Sequence, residues 1–353
     1  MAEGSTKVAV ILFNLGGPDS LAAVKPFLIN LFSDAAIINV PAAVRWVLAR
    51  FIAWRRAQVA RDIYAQIGGA SPLLANTKAQ AQLLESTLAD LGDVACFISM
   101  RYWHPMSEAT AIAVKRFAPD RIVLLPLYPQ FSQATSGSSI NDWYAAAAKV
   151  GLDIPTSTIC CYPTNEDYVS ALAQDLRDEL SELPSTTRFR VLFSAHGLPK
   201  KNVAAGDPYQ SQIEQTAAAV VEVLAVPDLD WVVCYQSRVG PLEWLSPYTE
   251  DELVRAASDD VAVVIVPIAF VSEHSETLVE LDLDYRARAE QLGIRVYRRV
   301  QTLGINSCFI AGLAAMVRNA VAHDAGASSG VNRRVCPAGM QCLLAGAKGD
   351  GVE

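Results

Sequence analysis

Short apolar runs alternate with longer amphipathic segments along this chain. Six runs have the length and continuous hydrophobic character of buried strands. They span residues 8–13, 94–98, 122–127, 191–193, 231–233 and 261–266. Helical length and apolar spacing are found in segments 73–91, 166–183, 208–224, 275–292 and 306–321. Apolar strands separated by helices are typical of parallel sheets, so the pattern predicts an α/β fold with helices on both sheet faces.

The two halves of the chain carry one similar segment each. Residues 122–132 read IVLLPLYPQFS and residues 263–272 read VVIVPIAFVS, in each case a strand, a proline and an aromatic loop. We expect two α/β domains that face a shared cleft, with the chemistry beyond the carboxyl ends of the strands. The predicted domains span 1–150 and 151–322, followed by a Gly/Ala/Ser-rich extension over 323–353.

Composition and charge limit the classes of protein to which this chain can belong. Hydrophobic residues make up 52% of the 353 positions and charged residues 19%, which is typical of a globular protein. A formal net charge of -8 argues against nucleic acid as a partner. The start of the chain has no apolar segment after a basic one, and no apolar run approaches the roughly 18 residues of a membrane span. We therefore expect a cytoplasmic protein whose seven cysteines are reduced thiols or metal ligands.

The segment VLFSAHGLP, residues 191–199, presents a histidine where a buried strand ends. An imidazole at this position, that of His196, can bind a metal or accept a proton near neutral pH. A lone histidine is more often structural. From this segment alone the functional interpretation is therefore one of two alternatives.

The segment SEHSETLVELDLDY, residues 272–285, carries acidic residues at every fourth position. Glu276, Glu280 and Asp284 would form one acidic stripe on a helix, with His274 at its start. A solvated helix face is the alternative. The stripe follows a predicted strand directly, as active-site groups do in α/β folds. Imidazole with carboxylates suits a hard or borderline divalent ion, and the absence of thiolate suits reversible binding.

Seven segments of the chain, taken together and in this order from about residue 7 to 320, resemble ferrochelatases, which insert Fe2+ into a porphyrin. They are ILFNLGGPDS from Ile11, IGGASP from Ile67, RYWHP from Arg101, LYPQFSQATSGSS from Leu127, FSAHGLP from Phe193, QSRVGPLEWLSP from Gln236 and VPIAFVSEHSETLVELD from Val266. Any one segment would be weak support, but seven in register make a chance resemblance very improbable.

The resemblance implies a class I chelatase-like α/β fold, in which two Rossmann-like domains with parallel sheets flanked by helices enclose a porphyrin. It places His196 and Glu276 on one side of the macrocycle, facing the metal, with Glu280 and Asp284 along a path for iron or protons. Metallation must remove two pyrrole N–H protons while Fe2+ loses its ligands. One imidazole lone pair cannot serve both needs at once, so the roles of ligand and proton acceptor stay open.

The resemblance also implies a set of porphyrin-binding residues. Aromatic and apolar side chains would grip the macrocycle, and polar side chains would hold a propionate or its surroundings. The set is Leu15, Tyr64, Tyr128, Trp244 and His274 together with the polar Ser71 and Arg101. For each wall residue, ordinary core packing is the alternative.

An amphipathic segment over residues 41–64 combines tryptophan and arginine. Trp46, Phe51 and Trp54 lie beside several arginines, a composition that suits a membrane interface. A buried helix with a basic outer edge is the alternative. The resemblance implies an apolar lip near residues 39–64 that passes porphyrin to and from lipid. We therefore expect a peripheral protein on the inner face of the membrane.

The cysteines raise the question of a 2Fe-2S cluster, which some ferrochelatases carry on a C-terminal cysteine group. Cys336 and Cys342 occupy a similar tail, but Gln133 replaces the cysteine that animal forms have in the matching loop. Cys160 and Cys161 would complete the four thiolates that such a cluster needs. Against this, neighbours on a regular strand point to opposite faces. Three further cysteines lie in apolar runs and are predicted to be buried: Cys96, Cys234 and Cys308.

Several different functions are compatible with an α/β fold of this kind. A nicotinamide-dependent oxidoreductase is set aside because no G-x-G-x-x-G follows a strand. The sequence also leaves room for a coproporphyrin ferrochelatase, for a chelatase that inserts cobalt or nickel into another tetrapyrrole, and for a non-catalytic porphyrin carrier. The acidic stripe favours catalysis, and the apolar lip favours protoporphyrin. The oligomeric state stays open, with a homodimer as one possibility.

Overall fold

The computed structural model describes residues 6–323 and 325–330, which form two compact units. Within the described residues, the first unit comprises residues 6–128, 132–161 and 313–328 without residue 324. The second comprises 129–131, 162–312 and 329–330. Each unit is built around one parallel sheet.

Nine strands and eleven α-helices are found in the described residues. The strands are β1 (Lys7–Asn14), β2 (Asp93–Met100), β3 (Arg121–Pro126), β4 (Thr156–Ile159), β5 (Phe189–His196), β6 (Trp231–Gln236), β7 (Ala262–Pro267), β8 (Tyr297–Arg299) and β9 (Ala327–Ser328). The helices are α1 (Val24–Ser33), α2 (Ala42–Gln66), α3 (Leu73–Thr87), α4 (Ser107–Phe117), α5 (Ser138–Val150), α6 (Glu166–Ser181), α7 (Lys200–Ala204), α8 (Tyr209–Leu224), α9 (Thr249–Ser258), α10 (Arg286–Gln291) and α11 (Ser307–Ala322). Two π-helices, Gln133–Gly137 and Glu276–Tyr285, and one 3-10 turn, Ala89–Leu91, complete these elements.

The sheet of the first unit has the strand order β2-β1-β3-β4-β9, and all its pairs are parallel. The interior strand β1 is apolar from Val8 to Phe13 and buried along that whole stretch. Helices on the sheet cover these side chains, for example through the edge-to-face contact of Phe13 with Trp143 of α5. The hydrophobic effect therefore favours a central position for this strand.

The sheet of the second unit has the strand order β6-β5-β7-β8, again parallel throughout. Parallel register brings the carboxyl ends of the strands to one edge, where His196 of β5 pairs with Gln236 of β6. The core below this edge includes Leu192, Val263 and Leu281. Leu281 belongs to the π-helix, so one face of that helix is anchored in the core.

The predicted parallel α/β architecture is confirmed, with one difference in the segment that carries the acidic stripe. Residues 275–292 were expected to form one regular helix, but Glu276–Tyr285 is a π-helix and only Arg286–Gln291 is α-helical. A repeat at every fourth residue fits both geometries, so it could not separate them. No helix among the described residues is both long and apolar enough to cross a bilayer.

Candidate functional site

His196 ends strand β5 with one of its ring nitrogens already engaged. Its Nδ1 lies 2.6 Å from the carbonyl oxygen of Gly197, so Nδ1–H is the donor of this bond. The Nε2 atom points instead to Oε1 of Glu276, at 3.5 Å. A side chain at position 197 would meet the Gln236 carbonyl at 2.9 Å, which is why glycine follows the histidine. The fold thus fixes the ring and leaves Nε2 for chemistry.

Glu276, the first residue of the π-helix, provides the group opposite this nitrogen. Burial by itself lowers the pKa of His196, but the neighbouring Glu276 carboxylate raises it to about 9. Burial likewise favours the protonated form of Glu276, yet the imidazolium holds its pKa well below the usual value. Two lone pairs cannot face one another at this distance without a positive charge between them. A proton or a metal cation satisfies this requirement equally well.

His274 has the opposite ring arrangement. Its Nδ1 accepts the backbone N–H of Glu276 at 3.0 Å, so the neutral ring carries its proton on Nε2. Burial lowers the pKa of His274, which keeps the ring neutral. Phe270 packs against it with the ring centroids 4.6 Å apart. His274 therefore orients the start of the π-helix and has no free lone pair on Nδ1 to offer a metal.

Glu280 lies one turn further along the π-helix and accepts bonds from four donors. The backbone N–H of Ser237 lies 2.8 Å from it, Nε2 of Gln236 3.0 Å and the hydroxyl of Tyr285 3.2 Å, and the Ser237 hydroxyl is in close contact. Burial nevertheless raises the pKa of this carboxyl group. Asp284, at the next position of the stripe, is exposed, and partial burial raises its pKa.

Gln236 and Ser237 were not proposed as site residues from the sequence, although Gln236 ends strand β6 and Ser237 follows it. The amide of Gln236 is buried, accepts the Ser194 hydroxyl at 2.8 Å and donates to the Glu276 carbonyl at 2.9 Å. The signal that could have found this pair is its place at the carboxyl end of a strand beside that of His196. Together they hold the π-helix at the sheet edge.

Trp244 belongs to the same group of residues in the second unit. Its ring lies 6.4 Å from that of His196, and its Nε1 donates to the carbonyl of Val239 at 3.0 Å. The indole is thus held in place while one face stays beside the imidazole. The second unit therefore brings His196, His274, Glu276, Glu280 and Trp244 together.

The other predicted porphyrin-binding residues lie in the first unit. They are Leu15, Tyr64, Ser71, Arg101 and Tyr128. Leu15 and Tyr64 share one apolar cluster. The Arg101 guanidinium binds Asp34 at 2.9 Å and Asp142 at 3.5 Å, and its Nε donates to Ser138 at 2.7 Å. Arg101 is thus surrounded by acceptors of its own unit.

Helix α2 exposes the aromatic face of the amphipathic segment. The exposed fractions of Trp46, Phe51 and Trp54 are 57%, 55% and 64%, whereas the buried positions of this helix include Ala49 and Ala53. The guanidinium of Arg50 lies over the Trp46 ring, 3.7 Å from its centroid. A buried helix with a basic edge would show the reverse, with its large apolar side chains inside.

The cysteines are only partly described. Cys160 and Cys161 follow β4, are fully buried, and have sulfur atoms 3.5 Å apart. The alternation of a regular strand does not separate them, because β4 ends at Ile159. Cys336 and Cys342 lie outside the described residues. Within the described part of the chain, no group of three or more His, Cys, Asp or Glu side chains is arranged to hold a metal ion.

The remaining cysteines correct one expectation. Cys234 is buried as predicted, but Cys96 and Cys308 are only partly buried. Cys96 lies on β2, an edge strand, and Cys308 lies in the first turn of α11, where apolar neighbours in sequence do not guarantee full cover. Cys160 and Cys161, by contrast, are fully buried.

Comparison with known proteins identifies the family of this chain. The model of the family described as Ferrochelatase matches residues 7–321. A ferrochelatase of Caulobacter vibrioides (strain NA1000 / CB15N) is 52% identical over 326 residues, which cover 92% of this chain and 93% of that protein. A ferrochelatase of Pelagibacter ubique (strain HTCC1062) is 48% identical over 314 residues, covering 88% and 90% respectively.

Among solved structures, the sirohydrochlorin chelatase SirB of Bacillus subtilis subspecies spizizenii, in complex with cobalt, is similar in fold. The TM-score is 0.51 at 12% identity, over 89% of this chain and 95% of that one. At such low identity the likeness concerns the fold alone. The family match over nearly the whole described chain, together with relatives at about half identity, leads to one conclusion: the chain belongs to the ferrochelatase family.

Proposed function

We infer that this protein inserts Fe2+ into protoporphyrin IX to form protohaem, the terminal step of haem biosynthesis, and we propose that His196 and Glu276 face the metal. The observation that carries the assignment of these residues is the 3.5 Å approach of Nε2 to Oε1. The other ring nitrogen of His196 is occupied by Gly197. Nε2 and the carboxylate are therefore the groups left for iron or a proton.

The reaction exchanges Fe2+ for two protons of the porphyrin nitrogens. Each N–H bond that breaks leaves its electron pair on nitrogen for iron, and the two protons must reach basic groups of the protein and then solvent. The Glu276 carboxylate can accept a proton, and so can the His196 imidazole each time it has released its own proton to solvent. We propose that Glu280 passes protons onward to Asp284 and does not bind iron. A cation at Glu280 would have to displace four hydrogen-bond donors, whereas burial already raises the pKa of its carboxyl group.

We propose the porphyrin-binding residues on two kinds of support, which are contacts within the second unit and the family resemblance. Trp244 and His274 lie beside His196 and Glu276 in the second unit and are proposed to contact the macrocycle. Leu15, Tyr64, Ser71 and Tyr128 are proposed from the family resemblance. For Arg101 we propose an indirect role, because Asp34 and Asp142 already balance its charge.

Anaerobic incubation of the purified protein with Fe2+ and, separately, protoporphyrin or coproporphyrin tests the activity and its substrate. We expect conversion of the protoporphyrin spectrum to that of protohaem. A carrier would bind the porphyrin and leave its spectrum that of the free base. Faster conversion of coproporphyrin would reassign the substrate. Analytical ultracentrifugation of the same sample tests whether the protein is a monomer or a homodimer.

We further propose that helix α2 attaches the protein peripherally to the inner face of the membrane. The support is the exposed row of Trp46, Phe51 and Trp54 with arginines beside it. Tryptophan rings favour the interfacial layer of a bilayer, and arginines favour its anionic headgroups.

Serine substitutions on this row test the attachment. The double variant Trp46→Ser/Phe51→Ser should bind anionic phospholipid vesicles at least tenfold more weakly in a flotation assay, because it loses most of the apolar area that can enter the interface. Metallation of detergent-solubilised porphyrin should change less. The matched control Val223→Ser/Val254→Ser also removes exposed apolar side chains, from α8 and α9. Unchanged vesicle binding by the α2 variant would contradict the proposal.

We also propose a 2Fe-2S cluster held by Cys160, Cys161, Cys336 and Cys342. The paired, buried sulfur atoms after β4 support two of the ligands. The role would be structural, because the pair lies in the first unit while His196 and Glu276 lie in the second.

Protein purified anaerobically should be reddish-brown and contain iron and acid-labile sulfide in about equal amounts. Cys336→Ser or Cys342→Ser should bleach this colour, because a hydroxyl is a poor substitute for a thiolate ligand. The partly buried Cys96→Ser is the matched control and should keep the colour. Colourless, sulfide-free wild-type protein with full activity would refute the cluster.

A further inference from the structure

Arg299, the last residue of β8, forms ion pairs with two acidic residues. These two residues lie on either side of Glu276 in sequence. The Arg299 side chain is only 6% exposed. Nε and Nη2 donate to the Asp282 carboxylate at 2.8 Å and 2.7 Å, and Nη1 donates to Oε1 of Glu273 at 2.9 Å. Glu273 precedes the π-helix and Asp282 lies within it. One rigid guanidinium therefore fixes both sides of Glu276.

The bond to Glu273 is the first link of a continuous hydrogen-bond chain. Oε2 of Glu273 accepts the hydroxyl of Thr277 at 2.5 Å, and this hydroxyl oxygen accepts the backbone N–H of His274 at 3.1 Å. Nδ1 of His274 accepts the backbone N–H of Glu276 at 3.0 Å. Thr277 is fully buried, so water does not compete for its hydroxyl. Arg299 is thus linked bond by bond to the backbone N–H of Glu276, the residue that carries the metal-facing carboxylate.

The π-helix makes such an external support necessary. Long π-helical runs are rare and intrinsically less favourable than α-helix, so this segment depends on contacts outside itself. The bidentate grip on Asp282 has a geometry that only a planar guanidinium provides. Strand β8 lies in the same sheet as β5, which carries His196. The sheet is therefore a rigid reference for both members of the pair.

We propose that Arg299 is a positioning residue for metal insertion, which acts through Glu273, Thr277 and His274 to hold the Glu276 carboxylate towards Nε2 of His196. This inference rests on the function proposed above. Arg299 itself touches neither iron nor porphyrin in this scheme. Residues that orient a metal-facing group in this way typically contribute about 10- to 100-fold to activity or metal affinity.

Steady-state kinetics of Arg299→Lys test the proposal, because lysine keeps the charge and loses the planar fork. We expect kcat for Fe2+ insertion to fall about 10- to 100-fold. The porphyrin KM should stay within about twofold, since the loss affects the reacting geometry and not substrate binding. The matched control is Arg298→Lys on the same strand, whose Nε pairs with Glu179 at 2.6 Å, away from this chain of bonds. It should keep the wild-type kcat.

Two further variants, Thr277→Val and His196→Ala, keep the proposal testable if Arg299→Lys folds poorly. Thr277→Val preserves volume but breaks the chain in its middle, and should lower kcat with a similar split between kcat and KM. His196→Ala serves as the reference for the proposed function. If His196→Ala is inactive while folded Arg299→Lys and Thr277→Val keep wild-type kcat, the positioning role is wrong and the function stands. If His196→Ala stays active, the proposed metal-facing pair itself fails.

Discussion

His196→Ala is expected to lower the rate of Fe2+ insertion by about 100-fold or more, the range that a positioned proton-transfer group contributes. The substitution removes Nε2, which faces Glu276 at 3.5 Å and can bind iron or take a porphyrin proton. The loss should appear in kcat measured anaerobically with Fe2+ and protoporphyrin. Because both candidate roles of the imidazole disappear together, the variant tests the site and not the division of roles.

The fold should survive this change. The imidazole side chain is 38% exposed and ends a strand, so alanine leaves little uncompensated core volume. Circular dichroism and the melting temperature should stay close to the wild type. The matched control is His323→Ala, an exposed histidine whose ring contacts the Asn319 carbonyl. Substantial turnover by folded His196→Ala would remove His196 from the reaction.

Glu276→Gln is expected to cause a comparable loss of about 100-fold in kcat. Glutamine keeps the shape of the side chain, but its neutral amide neither balances a cation as well nor accepts a proton. The exposed Glu290→Gln on α10 is the matched control, since it removes one carboxylate without touching the site. Normal metallation by Glu276→Gln would place the metal elsewhere.

The same variant makes a pH-dependent prediction. In the wild type, Glu276 holds the pKa of His196 at about 9, above its unfolded value, and His196 holds the pKa of Glu276 below its own unfolded value, so the pair stabilises the folded state most between about pH 4.5 and 6.5. This contribution is lost as the pH rises through 9. Without the carboxylate, burial should lower the His196 pKa, which NMR titration would detect. An unchanged titration would mean that Glu276 is not the partner of His196.

The central strands were predictable because burial leaves a direct trace in sequence. β1 and β7 are apolar along most of their length, and the hydrophobic effect favours interior positions for them in their sheets. β4 and β8 read TSTI and YRR, and no apolar run marks them. Their pairing depends on neighbouring strands already being in place. A short polar edge strand such as β8 therefore escapes prediction from the sequence.

The candidate site likewise contains residues that could be predicted from the sequence and residues that could not. His196 and Glu276 could be proposed because each follows a recognisable strand and stands in a segment that resembles the family. Arg299 could not, since an arginine on a short polar strand looks like surface charge. Its partners Asp282 and Glu273 lie 17 and 26 residues away in sequence and meet it only in the folded chain. Arg299 and its partners are therefore recognised from tertiary contacts and not from the local sequence pattern.

The last strand of the first sheet has a consequence for the order of synthesis on the ribosome. β9 pairs with β4 through Thr158 and Ala327, and residues 313–328 belong to the first unit. Domains usually fold in the order in which they are translated. Here the sheet that begins with the first strand stays incomplete until Ala327 and Ser328 have emerged. Most of the second unit, residues 162–312, is by then already synthesised. The unit started first is therefore still missing an edge strand after most of its neighbour has left the ribosome.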